Sequence, residues 1–353
     1  MLALGYYAIH VDPLESKFFP FLAYGLPYIV LVNLISSVFC FFIKSWKIGL
    51  LNTAVILVGY PYISRLYAFG SDDGSSQSDL TIVSYNVRAF NLIHAFELPK
   101  EIIRDSIFKF LHSTEADIFC FQEFYHDRRE LQYVNLNQIL NLTKTKHIVS
   151  TCTEKKANER YYGCFLFSKH PIIDHGLVEI STGEPDEGKC VYADIQHPDG
   201  SIIRIYNFHL ASIRYKEPEY EFVENISSNI KLNDENKETG IRVARMFLNA
   251  ARRRSKELDI VLNHAKSSPY PTVLCGDLND TPTSNAYHKI RSLFLDAFQQ
   301  AGKGFGKTYS GRMPSNRIDY IFHSKDFQTL RFEIQHEVLS DHRAIKASLK
   351  KLK

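Results

Sequence analysis

From Phe18 to Ile43 the chain carries no charged side chain, and beyond Lys44 and Lys47 a second uncharged run extends from Ile48 to Ser64. A helix that crosses a bilayer needs ~20 apolar residues, with ~17 as the lower limit. The first run is comfortably long and the second marginal. Both are apolar all round rather than along one stripe, which argues against two core helices of a soluble protein. Phe18, Phe19, Tyr60 and Tyr62 suit the aromatic belts of a membrane interface. No basic stretch precedes a short apolar core, so a cleaved signal peptide is not expected. Met1–Val11 is uncharged but too short to span, and reads as an interfacial piece or the remnant of another helix.

The expected organisation is therefore a membrane segment over residues 1–66, with two transmembrane helices at about 19–43 and 48–64. A Gly/Ser/Asp-rich linker over 67–79 and a soluble domain over 80–353 follow. The lysines between the two runs favour a cytoplasmic turn, so the protein is expected to be multi-pass with its soluble domain on the non-cytoplasmic side. Arg65 pulls the other way. Cys152 and Cys164 are placed to face each other across a hairpin centred near Ala157–Asn158. Oxidised, they would mark an external domain; two buried thiols explain the spacing equally well.

Overall the chain is 45% hydrophobic and 23% charged, with a net charge of +3. The first 65 residues contribute little to either sign, so the soluble domain is nearly neutral, which weakens the case for a nucleic-acid-binding surface. Its pattern alternates short apolar strands with fewer helices. Strands are expected at Leu80–Asn86, Asp117–Gln122, Thr272–Cys275, Arg317–Phe322 and Ala344–Leu349. Hairpins are expected over His147–Thr153 with Tyr161–Ser168, and over Cys190–Gln196 with Ile202–Phe208. Helices are expected at Pro99–Leu111 and Gly240–His264, the second carrying Arg252, Arg253 and Arg254 on a solvated face. Mixed hairpins and crossovers indicate two packed sheets with outer helices.

Polar residues recur where these strands stop. Asn86, Glu123 and His209 end three of them, Asp277 and Asn279 a fourth; Asp319 sits inside an apolar strand, and Asp341 and His342 precede the last. Each has an ordinary explanation as a turn residue. Six such ends in one domain are harder to dismiss, because buried carboxylates demand a cation or pairing groups. Strand alternation would point Asp277 and Asn279 into one cleft. The donor set is hard oxygen with two imidazoles and no thiol, and no HExxH occurs. That disfavours zinc and suits Mg²⁺, with Mn²⁺ as a possible substitute. The chemistry described is metal-assisted hydrolysis of a phosphate ester. Gly302–Thr308 lacks the first glycine of a P-loop and reads as a loop near the site, from which Lys307 or Thr308 would reach substrate.

Six stretches, SYNVRAFN, IFCFQEF, YNFHL, CGDLNDTP, RIDYIF and SDHRAI, occur in the order seen in the endonuclease/exonuclease/phosphatase superfamily, and the soluble domain resembles it from Leu80 to about Leu349. The resemblance implies a four-layer α/β sandwich, two packed mixed β-sheets flanked by helices, here preceded by N-terminal transmembrane helices. It implies that Asn86 and Glu123 hold a divalent metal with Asp341 nearby. Asp277 and Asn279 would position or activate water, and His342, oriented by Asp319, would contact the scissile phosphate with His209 on its other side. Arg88 resembles a phosphate-facing arginine of deoxyribonuclease I. Glu159 resembles the acidic partner of the family's first histidine, with an ordinary hairpin-loop charge as the alternative. The implied activity is hydrolysis of a phosphodiester by a membrane-anchored enzyme, nuclease-like in the first place. A lipid phosphodiesterase (sphingomyelinase-like), an inositol-phosphate phosphatase and a non-catalytic membrane binding module are the alternatives. The expected partners are thus a nucleic acid or a phospholipid headgroup as substrate, and the bilayer. The polar stretch from Ile213 to Gly240 reads as a substrate-selecting lid or a solvated insertion.

Overall fold

The computed structural model describes residues 1–70, 78–91, 100–128, 135–152, 160–180, 188–225, 234–313 and 317–352. Most of the linker (71–77) and the hairpin loop with Glu159 (153–159) lie outside these described residues.

Two six-stranded sheets form the soluble domain. One runs in the order Phe327–Ile334, Ile345–Lys351, Leu80–Asn86, Ile118–Asp127, Arg160–Ser168, His147–Ser150. The other runs Leu295–Asp296, Asp319–His323, Thr272–Asp277, Ile202–His209, Lys189–Gln196, Ile172–Leu177. Each sheet is antiparallel except for one parallel pair: Leu80–Asn86 beside Ile118–Asp127, and Ile202–His209 beside Thr272–Asp277.

Strand alternation builds the layers. Ile82, Ile118, Cys120, Val191, Ile205, Val273, Cys275 and Ile321 point between the sheets. Their sequence neighbours point outward. Val83, Phe119 and Phe121 pack on Ile103, Ile107 and Leu111 of helix Lys100–Ser113 and on Ile139 of helix Asn135–Thr143. Tyr206, Phe208, Leu274, Tyr320 and Phe322 pack on Leu258, Val261 and Leu262 of helix Asp234–Lys266 and on Tyr287 and Ile290 of helix Asn285–Arg291. Central strands buried on both faces read as continuous apolar runs, which is why IFCF and TVLC are visible as strands. Ile172–Leu177 and Phe327–Ile334 are edge strands with partly exposed faces, and the sequence pattern did not separate them from loop.

The N-terminal segment is a helix Leu2–Ala8, a 24-residue helix Phe19–Phe42, a 13-residue helix Trp46–Val58 and a short helix Tyr60–Ile63. The second and third pack as an antiparallel hairpin, with Ser37 Oγ donating to the Gly49 carbonyl (2.8 Å). Phe19–Phe42 is long and apolar enough to cross a membrane. The second run is shorter than expected, because the chain breaks at Gly59, where an added Cβ would lie 1.9 Å from the Tyr6 ring, and Pro61 restarts the helix. Thirteen residues rise only about 20 Å, against a hydrocarbon core of about 30 Å. The hairpin's near end is bonded to the sandwich. Lys289 Nζ pairs with Asp12 (2.7 Å), Asn285 Nδ2 donates to the Ile9 carbonyl (3.0 Å), and Arg317 donates to the Arg65 carbonyl (2.9 Å).

The reading of the arginine run is corrected. The Arg252–Arg254 run is no solvated face: Arg252 donates to the Pro13 carbonyl and Arg253 to the Ser212 carbonyl. Arg254, 1% exposed, is held by Asp280 (3.1 Å) and the Ala211 carbonyl (3.0 Å). Of the two readings left open for Cys152 and Cys164, the structure carries the thiols: no disulfide joins them, with Cys164 buried and Cys152 half-buried.

Candidate active site

In both sheets the parallel pair ends at the same edge of the sandwich. Asn86 closes one strand, and Glu123 lies four residues before the end of its partner; His209 and Asp277 close the other pair and sit side by side in register. The antiparallel neighbours begin where these strands stop. Asp319 opens its strand directly opposite Asp277, and Asp341 and His342 lie in the loop leading into Ile345–Lys351. Topology alone therefore brings all the strand-end residues to one cleft.

Local backbone strain aims them. Glu123 has φ 50° at an irregularity in the pairing between Phe121 and Phe124. Asn279 has φ 53°, and Arg88 to Asn91 form a left-handed turn with φ between 45° and 65°. Such conformations cost about 1–2 kcal/mol per non-glycine residue and persist where the surroundings over-determine them. Gly276 is required beside Asp277, since an added Cβ would meet the Phe208 carbonyl oxygen at 1.9 Å.

Asn86 joins the two sheets, its Nδ2 donating to Glu123 Oε1 (3.2 Å) and Asp277 Oδ2 (3.1 Å). His209 Nε2 lies 3.8 Å from Glu123 and 3.6 Å from Asp277. His342 Nδ1 is 2.9 Å from Asp319 Oδ2, and its Nε2 is 3.7 Å from Asp277 Oδ2. Arg88 pairs with Asp341 at 3.4 Å. Asn279 donates its backbone N–H to Asp277 Oδ1 (2.8 Å) and its side-chain amide to the Leu210 carbonyl (3.0 Å). The strand ends at Asp277, so Asp277 and Asn279 share the cleft through a turn rather than through strand alternation.

The electrostatics follow from this crowding. Burial, reinforced by Asp319, pushes the Asp277 carboxyl up to about 6 against the pull of His342 and His209. Burial alone would lower His342, but Asp319 and Asp277 hold it well above the ordinary histidine range. Burial likewise opposes ionisation of Glu123, and His209, His342 and the Asn86 amide overcome it, leaving its carboxyl below the usual range. Glu123, Asp277, Asp319 and Asp341 face Arg88, Arg214 and a protonated His342, so negative charge is still in excess. A divalent cation would balance that excess, and an all-oxygen donor set suits a hard ion. Asp277, Asp319 and His342 place ligand-type atoms within 4.8 Å of one another. His342 is already committed there to two carboxylates, so this trio fits proton handling better than ligation.

Several supporting residues escaped the sequence reading. Gln122 donates to Asn207 (2.7 Å), and Asn207 donates to the Phe121 and Phe165 carbonyls, bridging the sheets beneath the site. Asn207 stands two before His209 on its strand, so its inward face was readable; its partner was not. Ser340 Oγ donates to the Asn86 carbonyl (2.9 Å). Glu257, fully buried, accepts from the Gly188 and Ala211 backbone N–H groups (both 2.8 Å). Thr308 is also buried, its Oγ accepting from the Ile318 and Asp319 N–H groups, so it braces the Asp319 strand. Lys307 lines a separate hollow with Lys303 and Arg343. Neither residue reaches the cleft as expected.

The sequence model of the endonuclease/exonuclease/phosphatase family matches residues 83–342. The chain belongs to that family. Its members are divalent-metal-dependent hydrolases of phosphate esters, and this chain is such an enzyme. Residues 1–66 match a second family, a domain of unknown function. No curated protein sequence matches significantly. Among solved structures, a family member from Leptotrichia buccalis is similar at TM-score 0.54 and 18% identity, covering 77% of this chain and 99% of its own. A mannosyl-6-phosphatase from Bacteroides thetaiotaomicron (TM-score 0.51, 16% identity, 76% and 99% covered) and the human Nocturnin catalytic domain (0.51, 16%, 78% and 94%) share the same fold.

Proposed function

We propose that the protein is a membrane-anchored, Mg²⁺-dependent enzyme that hydrolyses a phosphodiester at this cleft. The observation that carries the reading is the buried Asp277–His342–Asp319 array beside Glu123 and Asn86. Glu123, Asn86 and Asp341 would hold the cation, with Mn²⁺ as a substitute, and the bound ion supplies Lewis-acid stabilisation of the departing oxygen. Asp277, with its raised proton affinity, takes the proton from the attacking water, and Asn279 fixes the turn that presents it. His342, held protonated by Asp319, donates to a phosphate oxygen, while His209 and Arg88 face the phosphate from the other sides. The anchor is the hairpin of Phe19–Phe42 and Trp46–Val58, with Tyr60–Ile63 extending the shorter arm so that both sandwich-bound ends lie on the non-cytoplasmic side, since Lys44 and Lys47 sit at the far turn. The nuclease-like reading has Arg88 in its favour; the near-neutral domain weakens it, because nucleic-acid affinity rests on phosphate neutralisation.

Full-length protein in detergent with Mg²⁺ is expected to hydrolyse bis-p-nitrophenyl phosphate. Asp277→Ala and His342→Ala should each lose ~100-fold or more. Equal turnover in wild type and both variants would overturn the assignment.

A further inference from the structure

The hairpin does more than tether the domain, because it forms part of the cleft. Tyr24, on the long apolar helix, lines the same cleft as Glu123, His209, Asp277 and His342. Its ring packs against Phe247 of helix Asp234–Lys266 at 5.4 Å, and Phe21 packs on the same ring at 5.0 Å. Tyr215, Ile213 and Met313 also line this cleft.

One helical turn beyond Tyr24 the surroundings change. Tyr28 is 62% exposed, and Leu31, Val32, Ile35 and Phe39 are at least half exposed. Four residues rise only about 6 Å along a helix. The cleft wall thus passes directly into the apolar surface that a bilayer covers, and tyrosines at the junction match an interfacial belt.

The placement is fixed. Both near ends of the hairpin are bonded to the sandwich: Asp12 to Lys289, the Pro13 carbonyl to Arg252, and the Arg65 carbonyl to Arg317. Asp12 and Arg65 bracket the apolar hairpin, so the domain cannot swing its cleft away while these contacts hold. Among the described residues the cleft carries three arginines, Arg88, Arg214 and Arg254, and no longer cationic track of the kind that follows a nucleic-acid backbone. Arg88 is engaged by Asp341 and Arg254 by Asp280.

We propose that the phosphodiester cleaved here is carried by a membrane lipid, which enters along the Tyr24–Phe247 wall with its headgroup phosphate in the site and its chains left in the bilayer. This rests on the phosphoesterase reading above and names its substrate class. Water oxygen bonds to phosphorus, the P–O bond to the leaving alkoxide breaks, and the proton taken from water returns to that alkoxide. No other reactant is needed.

The test uses the full-length protein reconstituted with Mg²⁺ into liposomes of phosphatidylethanolamine, phosphatidylglycerol and sphingomyelin, with lipid products followed by mass spectrometry. Bis-p-nitrophenyl phosphate and a DNA oligonucleotide are assayed in parallel. The expected result is lipid hydrolysis at least tenfold faster than DNA cleavage at equal phosphodiester concentration. A Tyr24→Ala/Phe247→Ala variant should lower the ratio of lipid to soluble-ester turnover at least fivefold. Turnover of the soluble ester or DNA without lipid products, or an unchanged ratio in the variant, overturns the lipid assignment and leaves the phosphoesterase reading standing. No turnover of any substrate overturns both.

Discussion

Between Tyr28 and Val58 the hairpin presents apolar side chains to its surroundings, with Val32 and Leu51 about two-thirds exposed (64% and 65%). At the catalytic edge of the sandwich the opposite holds. Asp277 and Asp319 are 1% exposed and His342 5%. An isolated soluble protein favours neither arrangement, since water penalises the first and an apolar interior the second. Each fits a companion proposed above that would remove the penalty, a bilayer for the hairpin and a cation with a phosphate for the site. The two regions also differ in how their polar groups are treated. Ser37 and Thr53 satisfy each other and the Gly49 carbonyl inside the hairpin, while the site gathers more carboxylates than it has cations to pair with them.

The contrast can be broken first at the site. Asp319→Asn keeps the shape beside His342 but removes the charge that holds it protonated. Turnover should fall about 10²–10⁴-fold, with the alkaline limb of the pH–rate profile moved to lower pH. A loss below tenfold with an unmoved limb would show that the pair is structural.

Arg254→Ala probes a buried charge that serves packing. It strands Asp280 and should cost about 3–5 kcal/mol, read as a large drop in melting temperature. A drop of only a degree or two would restore the solvated-face reading of the arginine run.

A smaller effect concerns pH. The folded-state pKa of His342 is raised, so its stabilising contribution is complete below the unfolded value of about 6.5 and is lost as pH rises toward the folded value. Metal-free protein should therefore melt at progressively lower temperature from pH 7 to 8.5, and His342→Gln should flatten that slope. An equal slope in the variant would place the titration elsewhere.

The smallest effect sits between the two regions. Asp12→Ala removes a half-buried pair with Lys289 and should cost about 1 kcal/mol or less. Its clearer readout is faster proteolysis near residues 9–15, and unchanged cleavage would argue against docking through Asp12.

Much of this was legible in the sequence because both extremes leave a local mark. A helix long and apolar enough to cross a membrane shows as a charge-free run, and the sandwich-edge cleft shows as polar residues closing apolar strands. Asn86, Glu123, His209, Asp277, Asp319 and His342 were singled out in this way, and the structure places them around one cleft. What local pattern could not supply was pairing across distance. Arg254 looks solvated until Asp280 and the Ala211 carbonyl are brought to it from other elements. Gln122 and Asn207 lie 85 residues apart, and neither names the other. Tyr24 is one aromatic in an apolar helix until Phe247 joins it at the cleft. The second apolar run was overextended because composition does not register the break that Gly59 and Pro61 introduce.

The central claim is that the excess of carboxylates at the strand ends is a divalent-metal site for phosphodiester hydrolysis. Full-length protein stripped with EDTA and dialysed should have no measurable turnover of bis-p-nitrophenyl phosphate. Adding Mg²⁺ should restore it saturably and raise the melting temperature together with the rate, while Glu123→Gln should require a higher Mg²⁺ concentration for both. Turnover that survives metal removal, or a rate restored to wild-type level in Glu123→Gln at the same Mg²⁺ concentration, would contradict it.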